Sequence, residues 1–221
     1  MIPSSRPVSA PPPKGLWLLA ALAGGVFGGL LAAVLRTGSL PWDAPVLRFW
    51  HRHATPGLDK LAGVLTGVGN TGPMVGLGLL VFLGLLARRH WRAAGVFFAS
   101  VGGSMLLTQV IKRLVARPRP ALWASLRPEH TLSFPSGHAM DTAAIATALL
   151  LLWGRRSCGW AGGAALFSLA VGWARMYLGV HNPSDVLAGW AAGVAWVAAM
   201  HLAVPGAIPP REATTVSLMG S

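Results

Sequence analysis

Six long apolar runs, at 16–35, 69–87, 93–114, 139–153, 160–178 and 186–204, leave little of this 221-residue chain for anything else. Inside hydrocarbon a backbone amide or carbonyl has no water to bond, so runs of this length predict helices that satisfy their own polar groups. Several are short for a hydrocarbon core of about 30 Å unless their ends extend into the flanking segments. Only 11% of the residues are charged and 53% are hydrophobic, far from the balance of a soluble domain. The expected fold class is all-α, a polytopic membrane protein built as a six-transmembrane-helix bundle.

Residues 1–14, rich in proline and serine, read as a flexible cytoplasmic tail, 15–205 as one membrane domain and 206–221 as a second cytoplasmic tail. The run at 16–35 is long for a secretory signal and no small-x-small cleavage site follows it, which favours a retained span. Leu58, Leu61, Ala62, Leu65 and Val68 share one helical face. That segment is either an interfacial helix or a lengthening of the second span, with Asn70, Gly72 and Pro73 marking a kink or a boundary. Gly24, Gly25, Gly28 and Gly29 in the first run, and Gly189 and Gly193 in the last, predict close helix packing.

The formal net charge is +12, but the basic residues form short clusters between apolar runs, which argues against a nucleic-acid surface. Arg6, Lys14, Arg88, Arg89, Arg92, Arg155, Arg156 and Arg211 fall on one side if six spans alternate. The positive-inside rule makes that side, with both termini, cytoplasmic. Cys158 is the single cysteine, so an intramolecular disulfide is excluded.

Three polar segments gather on the opposite face. Lys112 and Arg113 close the third run and lead into Arg117-Pro118-Arg119-Pro120, whose prolines stop the helix and aim Arg119. Arg113 and Arg117 fit equally well as side chains snorkelling to the headgroups. Pro135-Ser136-Gly137-His138 precedes the fourth run. There Ser136 can cap a helix, Gly137 allows close backbone approach, and the free first-turn amides suit an anion. A plain cap would explain Pro-Ser-Gly, whereas a histidine in the first turn of a membrane helix needs a partner. Arg175 ends the fifth run, followed by His181 and Asp185. A carboxylate four residues beyond a histidine can accept its N–H and turn the other ring nitrogen toward a substrate.

The pattern Lys112-x6-Arg119-Pro120, Pro135-Ser136-Gly137-His138, Arg175-x5-His181-x3-Asp185 resembles the three-part signature of the type 2 phosphatidic acid phosphatase (PAP2) superfamily in order, spacing and loop position. Ala174 stands where a serine is common in that superfamily, which removes one small polar contact and no charge. The resemblance implies a PAP2-type bundle and a phosphohydrolase that needs neither metal nor other cofactor. By it, His181 attacks phosphorus and becomes a phosphohistidine, Asp185 orients and supports it, and His138 protonates the leaving group. Lys112, Arg119, Arg175, Ser136 and the amide of Gly137 would hold the phosphoryl oxygens, with Pro120 and Pro135 in support. Small bacterial members of the superfamily resemble undecaprenyl pyrophosphate phosphatases or phosphatidylglycerophosphate phosphatases. The expected partners are therefore a lipid pyrophosphate or lipid phosphate and the surrounding membrane lipid, with no nucleic acid and no obligate protein. An outward-facing site in a bacterial inner membrane favours undecaprenyl pyrophosphate, with phosphatidylglycerophosphate and phosphatidic acid as alternatives.

The residue chemistry agrees with that division of labour. Fixed cations and helix-start donors can hold the charge that phosphoryl transfer spreads over equatorial oxygens. Glu129, Asp141 and Asp185 are the carboxylates near the motifs, a poor set for two metals. A neutral His181 and a protonated His138 predict a bell-shaped pH profile. Asp141, one turn after His138, is expected either to anchor His138 or an outer-face cation, or to pack with Thr142 or Thr108. Trp42, Trp50, His51, Arg52 and His53 either line the mouth of the site or form an interfacial girdle, and the two histidines complete no metal ligand set. A soluble vanadate-dependent haloperoxidase resembles the same signature but needs amphipathic helices. A non-catalytic lipid-phosphate carrier or scaffold would use the same cations.

Overall fold

A computed structural model describes residues 13–127, 129, 131–153 and 158–204. Apart from residues 13 and 14, the two expected tails lie outside the described residues, as do Arg6, Arg155, Arg156 and Arg211 of the charge argument. The described chain is all-α: α1 (Lys14–Thr37), α2 (Asp43–Arg52), α3 (Pro56–Val68), α4 (Thr71–Ala87), α5 (Trp91–Val115), α6 (Gly137–Trp153), α7 (Cys158–Tyr177) and α8 (Pro183–Ala203).

Helices α6 and α8 form the centre. α1 and α6 pack along α8, while α6 also meets α4, α5 and α7 and is buried without a break from Ala139 to Ala148. Glycine explains how close the central pair lies. A Cβ at Gly189 would stand 2.6 Å from the Ser136 carbonyl oxygen, and one at Gly193 2.6 Å from that of Met140. Apolar side chains gain nothing by leaving lipid for protein, so backbone approach of this kind supplies much of the contact. It also has a functional consequence, because the Ser136 N–H reaches the Asp185 carbonyl at 2.9 Å and ties the start of α6 to the start of α8. The glycines of α1 behave otherwise. Nothing lies within 4 Å of a Cβ built at Gly24, Gly25, Gly28 or Gly29, and α1 meets the bundle through Phe27, Leu30, Leu31 and Val34 instead. Packing through glycine thus holds for the last run and not for the first.

Leu18, Leu80, Leu106, Trp160 and Leu166 are each at least 60% exposed, an outer surface suited to lipid. Among the described residues α1, α5 and α8 are long and apolar enough to cross a membrane, and α3 with α4, bent by 46° at a short break, would make a fourth. α6 is apolar but has 17 residues, a length of about 25 Å. Its amino-terminal end is given over to the polar motif rather than to hydrocarbon.

Segment 58–68 belongs to a helix of its own. Thr55 Oγ1 accepts the Leu58 N–H at 3.3 Å to start α3, and Asn70 Oδ1 accepts the Thr71 N–H at 2.7 Å to start α4, so Asn70 marks a boundary. Residues 43–52, expected to be loop, are helix α2. Asp43 sits in its first turn and Leu47 is wholly buried, which anchors the helix against the bundle.

Candidate active site

The three motifs meet at one end of the bundle because helix ends deliver them there. α5 stops at Ala116, which has a left-handed φ of 50° and donates its N–H to the Lys112 carbonyl. Pro118 and Pro120 then prevent the helix from resuming, and the chain folds back so that the Ser133 N–H reaches the Arg117 carbonyl at 2.9 Å. α7 ends at Tyr177, and Gly179 turns the chain with φ of 68°. A side chain at Gly179 would be strained by that φ and would also collide with the Trp123 ring at 2.7 Å. The Arg175 carbonyl accepts the N–H groups of Val180 and His181 at 3.2 and 3.3 Å, so the backbone of one motif residue fixes the turn that presents another. At the start of α8, Asp185 Oδ2 accepts the Asn182 N–H at 2.8 Å, an N-terminal cap that also locks the carboxylate.

Arg119 Nη1 lies 3.1 Å from His181 Nε2 and 2.8 Å from the Val180 carbonyl, while its Nε and Nη2 reach Thr131 at 2.6 and 2.7 Å. Lys112 Nζ reaches the same Thr131 hydroxyl at 3.4 Å. Arg175 is 1% exposed, with Nη1 on Thr66 Oγ1 at 2.5 Å and Nη2 on Glu129 Oε1 at 2.6 Å. The other oxygen of Glu129 is 3.6 Å from Arg119. Both guanidiniums therefore already hold a carboxylate between them. His138, the second residue of α6, is half-buried in the same polar region.

Because an arginine donates to Nε2, the neutral His181 ring carries its proton on Nδ1, facing Asp185 Oδ2 at 3.7 Å. That separation exceeds a hydrogen bond, so Asp185 acts on the ring by charge. Burial lowers the His181 pKa to about 3; Arg175 and Arg119 push the same way, and Asp185 opposes them. Burial alone would raise Glu129, but Arg175, by hydrogen bond and charge, and then Arg119 hold its carboxyl below the usual range.

Several expectations need correction. Ser136 does not cap α6 through its side chain: its hydroxyl is buried with no partner. Asp141 makes no hydrogen bond to His138, its Oδ1 being buried without a partner, and Thr142 packs with Ser168 instead, at 2.8 Å; of the partners expected for Asp141, the outer-face cation is supported, since its charge reaches Lys112. Arg117 does not snorkel; it is 4% exposed and paired with two carboxylates. His51 stacks on Trp123 at 4.1 Å and His53 bonds the Phe49 carbonyl at 2.8 Å, which leaves both occupied outside the cation cluster. Arg175 Nε and His181 Nδ1 join Ser136 Oγ as buried side-chain atoms without partners at the site, while Ser100 Oγ, Ser104 Oγ and His201 Nε2 are others within the bundle.

A family model described as the PAP2 superfamily matches residues 93–209, over half of the chain and all three motifs. The chain belongs to the PAP2 superfamily. Its sequence is 39% identical over 129 residues to the decaprenylphosphoryl-5-phosphoribose phosphatase of Mycobacterium tuberculosis, a match covering 54% of this chain and 66% of that protein, just under two thirds. It is 32% identical over 114 residues to the undecaprenyl-diphosphatase of Sulfolobus acidocaldarius, covering 49% and 53%. The crystal structure of the transmembrane PAP2-type phosphatidylglycerolphosphate phosphatase of Bacillus subtilis superposes with a TM-score of 0.72 at 25% identity, over 82% of this chain and 93% of that one.

The PAP2 match begins after α4, yet two side chains at the site come from before it: Asp43 of α2 and Thr66 of α3. Sequence reasoning missed both, and gave Glu129 and Thr131 no role. For Asp43 there was a signal, since the chain has only six acidic residues and this one opens an otherwise basic and aromatic stretch. Among the described residues no group of three or more His, Cys, Asp or Glu side chains is set to hold a metal.

Proposed function

We propose that this chain is a metal-independent membrane phosphatase that removes the terminal phosphate of a polyprenyl lipid through a phosphohistidine on His181. The observation that carries the reading is the carboxylate of Glu129 held between Arg175 and Arg119, with the same Arg119 reaching His181 Nε2 at 3.1 Å: the cluster already binds an oxyanion through a guanidinium that touches the nucleophile's ring. In the first step Nε2 forms a bond to phosphorus, the bond from phosphorus to the lipid oxygen breaks, and His138 gives that oxygen its proton. In the second, water attacks the phosphohistidine, His138 takes a proton from it, and inorganic phosphate leaves with the His181 ring neutral again. Lys112, Arg119, Arg175, Ser136 and the Gly137 amide hold the phosphoryl oxygens throughout.

Undecaprenyl diphosphate is the substrate we favour. A polyprenyl lipid with a phosphorylated sugar is the second reading, supported by the 39% identity to the mycobacterial enzyme named for such a lipid. The basic residues at the other end of the bundle, Arg88, Arg89 and Arg92, support a cytoplasmic assignment for that end and an outward-facing site in a bacterial inner membrane. Six crossings follow if α4, α6 and α7 complete their spans with flanking residues.

Purified protein with EDTA present should release phosphate from undecaprenyl diphosphate about tenfold faster than from phosphatidylglycerophosphate or phosphatidic acid. Polyprenylphosphoryl-5-phosphoribose is the fourth arm, and a faster rate there selects the second reading. Binding without release from any of the four would make the protein a carrier.

Glu129 supplies a separate test. Its carboxyl stays charged at working pH and competes with a phosphate for the same guanidiniums. Glu129→Gln should lower KM about fivefold, as expected for a partly exposed pair, with kcat little changed. A KM that rises would mean that Glu129 helps bind the substrate.

A further inference from the structure

Behind Asp185, on the side away from the phosphate cations, lies a second buried charge layer. Arg117 donates through Nη1 to Asp185 Oδ1 and, at 2.8 Å, to Ser184 Oγ, and through Nη2 to Asp43 Oδ2 at 2.8 Å. Asp43 is 1% exposed. Its carboxylate also accepts the Ser184 N–H at 3.0 Å, the Ser184 hydroxyl at 2.7 Å and the Leu40 N–H at 3.0 Å. The Ser133 hydroxyl donates to Asp185 Oδ2, the oxygen that faces His181. Every oxygen of Asp43 and Asp185 is thus engaged, by groups from the start of α2, the α5–α6 connection and the start of α8.

We propose that Asp43 and Arg117 are positioning residues for phosphoryl transfer, holding the Asp185 carboxylate in register and keeping one net negative charge behind His181. The charge arithmetic is what singles out Asp43. Arg117 alone would neutralise Asp185, and the pair would then offer the ring only the weaker field of a dipole. With Asp43 on the other prong of the guanidinium, two carboxylates share one cation and the layer keeps a net charge of minus one. His181 becomes cationic as it takes the phosphoryl group, surrounded on its other side by Arg119 and Arg175. A negative charge held at 3.7 Å from Nδ1 stabilises that state selectively, because the ground-state ring is neutral. Neither Asp43 nor Arg117 hydrogen-bonds to the cations gathered around Glu129 and Thr131, so the effect belongs to kcat rather than to binding.

The inference rests on His181 as the nucleophile, so His181→Ala accompanies every measurement. With purified full-length protein and undecaprenyl diphosphate, Asp43→Asn should lower kcat about 10- to 100-fold with KM within about twofold. The Asp43→Asn/Arg117→Gln protein removes both charges and restores minus one at Asp185, so its kcat should exceed that of Asp43→Asn by about fivefold. A staple that only braced the loops would make the double variant the worse of the two. An unchanged kcat in Asp43→Asn, a loss confined to KM, or a double variant no better than the single would each overturn the proposal. If Asp43→Asn does not fold, Arg117→Lys decides, since it keeps the charge and loses the two-pronged bridge. A lower kcat at unchanged KM supports the proposal there, and an unchanged kcat overturns it. An active His181→Ala protein would remove the phosphohistidine reading and this inference together; an inactive one beside a fully active Asp43→Asn protein removes this inference alone.

Discussion

His181→Ala should lower phosphate release by about 10,000-fold or more while leaving the protein able to bind vanadate, an oxyanion mimic of phosphate. Among the described residues, His181 is the histidine whose ring nitrogen lies within hydrogen-bond distance of Arg119, at 3.1 Å from Nε2. Folding should survive the change, because the turn that carries residue 181 is held by its backbone N–H on the Arg175 carbonyl and not by the ring. Retained vanadate binding, followed by its protection against heat, would show that Lys112, Arg119 and Arg175 are still assembled. The pH dependence sharpens the same test. With its pKa lowered to about 3, the ring is neutral above that value, so protonation of His181 costs nothing through the neutral range. An acid limb of kcat/KM above about pH 5 would therefore belong to a group other than His181. Residual activity above about 1% in the alanine protein would remove His181 from the nucleophile's role.

Motif spacing made most of the site legible because its members sit at helix ends. The apolar runs announce where α5 and α7 stop and where α6 and α8 start, and an arginine, a histidine or an aspartate at a fixed distance from such an end arrives at the same end of the bundle. The cap expected of Ser136 failed, its hydroxyl being left without a partner, while Asp185, expected to accept the His181 N–H, caps α8 through the Asn182 N–H. Arg117 shows the limit. Within Arg117-Pro118-Arg119-Pro120 nothing local distinguishes a snorkelling arginine from a buried one. What decides is Asp43, which comes from 74 residues earlier in the chain, on a short helix whose polar and aromatic composition hid it. Thr66 is a similar case: it reaches Arg175 across 109 positions, because α3 is a helix separate from α4 and packs against α7. Glycine roles divided by the same principle. Gly189 and Gly193 lie where α6 passes, whereas those of α1 face away from every neighbour, and sequence carries periodicity but not the identity of the facing helix.

Arg175→Lys should lower kcat by about 100- to 1,000-fold, with a smaller rise in KM. Lysine keeps the charge at a position that is 1% exposed, so the fold does not lose its counter-ion to Glu129, and the main-chain carbonyl that organises the His181 turn is untouched. What disappears is the fork. The guanidinium spends Nη1 on Thr66 and Nη2 on Glu129, while Nε is buried with no protein partner. A single ammonium cannot hold Thr66 and meet two phosphoryl oxygens in the plane that arginine fixes. The loss should fall on kcat because the planar fork matches the planar arrangement that the equatorial oxygens take in the transition state, while Lys112 and Arg119 remain as cations for the ground-state phosphate. Thr66→Val gives the companion measurement: it removes one anchor of the fork and should cost about tenfold, in the same direction. If Arg175→Lys raised KM alone, Arg175 would be a binding residue, and transition-state stabilisation would rest on Lys112 and Arg119.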